Sequence, residues 1–109
     1  MPSQSNTLIL VVTLTIRKEA LARFREFEHS AARAMARYGG AIERAVVIPA
    51  GEAEDVFKEV HIVSFPDEKA FLEYQKDEEL CKAAGLRGQS VVKTEIWKGE
   101  EGPDYGKNF

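Results

Sequence analysis

The chain has 109 residues, 44% of them hydrophobic, with 15 Lys and Arg against 18 Asp and Glu for a formal net charge of −3. That length reads as a single domain, 1–109, able to bury one modest core. The acidic balance argues against nucleic acid as partner, because a phosphate backbone demands a positive face. No apolar run approaches the ~18–20 residues of a membrane span, and the single Cys81 cannot form an intrachain disulfide, which suits a reducing cytoplasm.

Leu8 to Ile16 is rich in β-branched residues, with Thr13 and Thr15 alternating against Leu14 and Ile16, and reads as a central strand with one slightly polar face. The polar threonines, and the lack of a basic region before it, set it apart from a signal peptide. From Lys18 to Tyr38 the period changes. Leu21, Phe24, Phe27, Ala31, Met35 and Tyr38 form one helical stripe, and Gly39-Gly40 supplies a C-terminal cap. On that helix His29 points about 160° from the apolar centre, into solvent, whereas Glu28 lies within about 60° of it and could reach a lysine or cap a pocket rim, but reads first as a boundary carboxylate turned outward.

Ala41 to Pro49 and Val56 to Phe65 read as two strands of a hairpin, joined by a polar turn over Ala50 to Asp55. Pro66 stops the second of these and Asp67 is a suitable N-cap for a helix from Glu68, with Ala70, Phe71 and Tyr74 on its buried face. Asp77-Glu78-Glu79 starts a short helix expected to end near Gly85. Ser90 to Lys98 is the last strand of a core spanning about 7–98, and the tail 99–109 has no periodicity.

The order β-α-β-β-α-β predicts an α+β, ferredoxin-like fold: a four-stranded antiparallel sheet with its helices on one face. The opposite face would be bare in a monomer and larger than the apolar patch a monomer tolerates. A homodimer through the sheet face, closing a dimeric α/β barrel, is therefore expected. Tyr105 and Phe109 in the tail would then pack on the partner subunit.

Strand alternation gives candidate site residues. In the third strand Glu59, His61, Val63 and Phe65 share a face, as Lys93, Glu95 and Trp97 do in the fourth and Thr13 and Thr15 in the first. Assigning the more uniformly apolar faces to the helices leaves Thr13, Thr15, Glu59, His61, Phe65, Lys93, Glu95 and Trp97 to line the barrel, with Arg44 on the second strand joining them. Trp97 and Phe65 would offer aromatic surface, and His61 beside Glu59 or Glu95 would be the acid or base. The same groups also fit a polar seam that stabilises the dimer. Cys81 reads as a small, half-buried side chain. Two distant histidines and one cysteine give no metal-ligand spacing, and no cofactor-binding loop is present, Gly39-Gly40 lying after a helix instead of before one.

Tyr38-Gly-Gly-Ala-Ile-Glu-Arg44, Phe65-Pro-Asp-Glu-Lys-Ala70, Tyr74, Leu80 and Arg87 together resemble the small-protein family catalogued as domain of unknown function 1330, in the dimeric α/β-barrel superfamily. The likeness spans roughly residues 8 to 98. Ser64 stands where that family usually has a glutamate, Asp67 where it has a serine, and Tyr74 where it often has a tryptophan. The resemblance implies the fold and the dimer, and no agreed reaction. A cousin group, the cofactor-independent antibiotic-biosynthesis-type monooxygenases, is similar in layout and oxidises aromatic or quinol substrates within the barrel; it often carries a histidine near the position of Tyr74.

Three function classes follow: a dimeric barrel binding a small aromatic or hydrophobic molecule; an oxygenase or isomerase-type enzyme using His61 as acid or base; and a structural or regulatory interaction module.

Overall fold

The computed structural model describes residues 7–106, and Phe109 of the tail lies outside them. The elements are β1 (Leu8–Arg17), a 3-10 turn (Lys18–Ala20), α1 (Leu21–Arg37), β2 (Ala41–Ile48), β3 (Val56–Phe65), α2 (Glu68–Gln75), α3 (Glu78–Lys82), α4 (Ala84–Ser90) and β4 (Val91–Gly99). The four strands form one antiparallel sheet in the order β2-β3-β1-β4. All helices lie on one face, giving the ferredoxin-like βαββαβ plan. The molecule is a slab only 17 Å thick across extents of 48 and 41 Å. That is one helix layer on one sheet, so the second sheet face is bare.

Register decides which residues face the helices. Leu10 is paired with Val63, Val12 with His61 and Leu14 with Glu59. Directly opposed residues project to the same side, so Glu59, His61, Val63 and Phe65 join Leu10, Val12 and Leu14 under the helices. On the other side Thr13 is opposed by Val60 and Glu95, Thr15 by Lys58 and Lys93, Val11 by Ile62 and Trp97, and Arg44 by Ile62.

Helix α1 supplies Phe24, Phe27, Ala31, Ala34 and Met35 to the core. Leu21, placed in the same stripe by spacing, is exposed at the first turn. The helix ends in a Schellman motif: Gly40 N–H donates to the Met35 carbonyl at 2.9 Å and Gly39 N–H to the Ala36 carbonyl at 3.2 Å, with Gly39 at φ +76°. Gly40 has a packing reason as well, since a Cβ there would overlap the Phe65 ring. Phe65 in turn packs at a tilt against Phe71 and Tyr74 of α2, with ring centroids 5.4 and 5.2 Å away, a geometry worth about 0.5–1.5 kcal/mol per pair beyond area burial.

The Asp67 carboxylate accepts from Ala70 N–H at 2.8 Å and caps α2 as its position implied. Asp77 does the same for α3, accepting from Glu79 and Leu80 N–H, and also receives Arg37 in a two-pronged pair at 2.9 and 3.0 Å and the Tyr38 hydroxyl at 2.9 Å. This ties the end of α1 to the start of α3. Two expectations are corrected in this region. Cys81 is exposed. Gly85 does not end the helical region; after a break at Ala83 the chain turns again through α4 to Ser90. Glycine in a helix costs about 1 kcal/mol relative to alanine, but Ala83 and Leu86 pack on Phe27 and Ala31, and that burial overrides the propensity. No described helix is long and apolar enough to cross a membrane.

Candidate functional site

His61 sits in the middle of β3, buried beneath α1. Two residues earlier on the same face is Glu59, whose Oε1 lies 2.9 Å from His61 Nε2. Glu59 is only 2% exposed, and burying a carboxylate demands a counter-charge. Arg25 on α1 provides it, donating from its guanidinium to Glu59 Oε2 while its own side chain reaches the surface. Three residues further along α1, one helical turn on the same side, Glu28 brings Oε1 to 3.8 Å from His61 Nδ1. The result is a chain, Arg25–Glu59–His61–Glu28, running from solvent inward between helix and sheet.

Its inner end borders a cavity of about 120 Å³. Leu10, Val12, Leu14 and Val63 form its floor on the sheet, and Phe27, Ala31, Met35, Phe65 and Phe71 its apolar walls. Glu28, His61, Tyr74, Arg87 and Thr94 supply the polar atoms, and Ile96 the edge at β4. Arg87 on α4 donates to the Thr94 hydroxyl across the gap between helix and strand.

Burial pushes the Glu28 carboxyl above its ordinary value; His61 opposes the shift, Glu59 adds to it, and Arg25 and Arg87 oppose it. Burial, and then the charges of Glu28 and Asp77, hold the Tyr74 phenol well above the usual tyrosine range, with Arg87 working against them. Tyr74 is thus a hydrogen-bonding phenol and no base at neutral pH. The His61 tautomer with its proton on Nε2, donating to Glu59, leaves the Nδ1 lone pair directed toward Glu28 and the cavity.

The sheet separates the expected site residues into two groups. Glu59, His61 and Phe65 are on the helix side, where His61 and Phe65 line the cavity. Thr13, Thr15, Arg44, Lys93, Glu95 and Trp97 are on the bare side, where the Thr13 hydroxyl donates to Glu95 at 3.3 Å and Lys93 lies 3.9 Å from the same carboxylate. They share no wall with His61. The polarity of β3 misleads here: it carries Val60 and Ile62 on one face and Val63 and Phe65 on the other, so neither face is plainly the apolar one, and only the pairing with β1 assigns them. Glu28 is likewise corrected, from a carboxylate turned outward to one 15% exposed on the cavity wall. Arg25 and Thr94 were not singled out by sequence. Arg25 and Glu28 share a helix face, but that spacing gains meaning only once Glu59 and His61 are known to lie beneath it. Among the described residues no group of three or more His, Cys, Asp or Glu side chains is arranged to hold a metal ion.

No protein-family profile matches the chain, and no curated protein matches it. Solved structures do. RPA0582, a Rhodopseudomonas palustris protein of unknown function, superposes with a TM-score of 0.76 at 13% identity, over 93% of this chain and 84% of that one. PA3566 of Pseudomonas aeruginosa gives 0.62 at 17% identity, over 94% and 100%. SnoaB, a cofactor-independent oxygenase of Streptomyces nogalater, gives 0.60 at 14% identity, over 91% and 98%. Identities this low establish a shared fold and leave the chemistry to the residues.

Proposed function

We propose that this chain binds a compact molecule of about one ring in the cavity between sheet and helices, and that His61 exchanges a proton with it. One observation carries the reading: a buried imidazole, tied at Nε2 to a carboxylate, presents its other nitrogen to an otherwise mostly apolar cavity. The size is suitable. An engineered apolar cavity of about 150 Å³ takes up benzene, and about 120 Å³ is available here. Ligand pockets for larger molecules run to ~300–1,000 Å³, so a fused polycyclic ligand would require the walls to move.

The test is thermal stabilisation by phenol, hydroquinone and toluene of the parent chain, His61→Ala and Ala31→Leu. The expected pattern is a response of the parent to all three. Ala31→Leu, which fills the cavity, loses all of them, and His61→Ala loses the preference for phenols over toluene. A parent chain indifferent to every probe at millimolar concentration overturns the proposal.

A second reading, oxygenation of a phenol or hydroquinone without a cofactor, is favoured by the shared fold with SnoaB, which is such an oxygenase. Deprotonating the phenol is the step that this chain's His61 is positioned to assist. Oxygen consumption with hydroquinone that depends on His61 would support it, and none would dismiss it.

We also place the chain with the family of domain of unknown function 1330, on the motif residues already named; Gly40 packing on Phe65 and Asp67 capping α2 are the roles that support them. Homodimerisation through the bare sheet face is part of the proposal. That face exposes Val46, Ile48 and Trp97 at 42%, 46% and 52%, side chains that a second copy would cover. The single-domain organisation and the cytoplasmic setting expected from the sequence complete it.

A further inference from the structure

We infer that Glu28 and His61 form an acid–base couple that moves a proton between the α-carbon and the oxygen of a small enolisable carbonyl compound held in the cavity. This inference rests on the cavity being the ligand site.

The spacing is the first argument. Glu28 Oε1 and His61 Nδ1 are 3.8 Å apart, too far for a good hydrogen bond to each other, so both remain available to a third group. The α-carbon and oxygen of a carbonyl compound are about 2.4 Å apart, from standard C–C and C=O lengths. A base and an acid that approach such a pair side by side need a separation only somewhat larger than this. Both groups line the same cavity, and they reach it from different elements, α1 and β3.

Their surroundings suit the two roles. Glu59, backed by Arg25, accepts the Nε2 proton, which keeps the Nδ1 lone pair free as the base and places a carboxylate behind any imidazolium that forms. Glu28 holds its proton to a higher pH than an ordinary carboxyl because it is buried. The other ionisable groups facing the couple are Tyr74 from α2 and Arg87 from α4. Neither is close enough to Nδ1 to form a hydrogen bond with it.

The step balances without a co-reactant. His61 Nδ1 takes the α-proton, the C–H pair becomes the C=C bond, the C=O π pair moves to oxygen, and that oxygen takes the proton from Glu28. The product is the enol, leaving an imidazolium facing a carboxylate. Return of the proton from Nδ1 to Glu28 restores the site, and the reverse sequence ketonises an enol. Glu59 is a positioning residue in this scheme, acting through the imidazole.

The probe is cyclohexanone, a single ring whose α-protons are read by proton NMR in D2O, with the parent chain, Glu28→Gln, Glu28→Asp and Glu59→Gln. Ligand-observed saturation transfer on the same samples reports whether it binds. The expected result is α-deuteration above the buffer rate with the parent, a loss of tenfold or more in Glu28→Gln with binding retained, and partial recovery in Glu28→Asp. Glu59→Gln is expected to displace the pH profile of exchange. Binding without exchange in the parent, or exchange unchanged in Glu28→Gln, overturns the couple while leaving the binding site standing. Absence of cyclohexanone binding overturns the couple, and the cavity reading falls with it only if phenol, hydroquinone and toluene also fail to bind.

Discussion

Replacing Ala31 with leucine tests the cavity through stability as well as ligand response. Ala31 is 2% exposed on α1 and lies on the cavity wall. A void forfeits about 24 cal/mol per Å³, so one of about 120 Å³ corresponds to roughly 3 kcal/mol of packing that the fold does not collect. Leucine adds three carbons, at about 0.8 kcal/mol per buried methylene. Part of that gain is lost to imperfect fit. The expected change is a stabilisation of about 1–2 kcal/mol in the ligand-free protein, and a domain of this size gains about 4–8 °C per kcal/mol. Urea unfolding with an unchanged slope gives the free energy directly. The gain should be accompanied by loss of the response to phenol, the trade expected where a void is kept open for function. A destabilisation of more than about 1 kcal/mol with the phenol response intact refutes the reasoning, because it would mean that the space at Ala31 is already filled and the ligand sits elsewhere.

Gly40→Ala should cost about 1–3 kcal/mol, since its Cβ would displace the Phe65 ring; urea titration measures it, and a neutral result would mean that the ring moves freely. Glu28 has a raised pKa, so the folded protein keeps a proton that the unfolded chain releases above 4.5; its contribution is complete below that value and is lost as pH rises through the folded pKa. Melting temperature should therefore fall more between pH 5 and 8 in the parent than in Glu28→Gln, and parallel curves would contradict the buried acid. Asp77 has the opposite sign. The Arg37 bonds depress its pKa below 3.8, so the stability it contributes is present above 3.8 and disappears as pH falls through the folded value, and acid unfolding should be less steep in Asp77→Asn. Light scattering should give twice the 12.2 kDa chain mass for the parent and one chain mass for Trp97→Asp; a monomeric parent rules out the sheet-face dimer.

The elements were legible because each carries its own period and punctuation: the α1 stripe closed by Gly39-Gly40, and the Phe65-Pro66-Asp67 stop and cap. The candidate site was legible only in part. His61 and Glu59 were found by alternation, but their facing was not, because β3 is apolar on both sides and its orientation is set by pairing with β1. Glu28 was misjudged for a related reason. A carboxylate near a helix stripe normally turns to water, and it is held inward here over His61 from another element. α4 eluded propensity because two glycines flank the Leu86 that anchors it.

The strand order has a kinetic consequence. β1 lies between β3 and β4, and the bond from Thr13 to Glu95 spans 82 positions. The first strand of the fold thus completes its pairing only with the last. Closing so long a loop is entropically demanding and slows folding. Until β4 docks, β1 has an open edge and the cavity lacks Thr94 and Ile96. The cavity is therefore complete only once the two ends of the fold have come together.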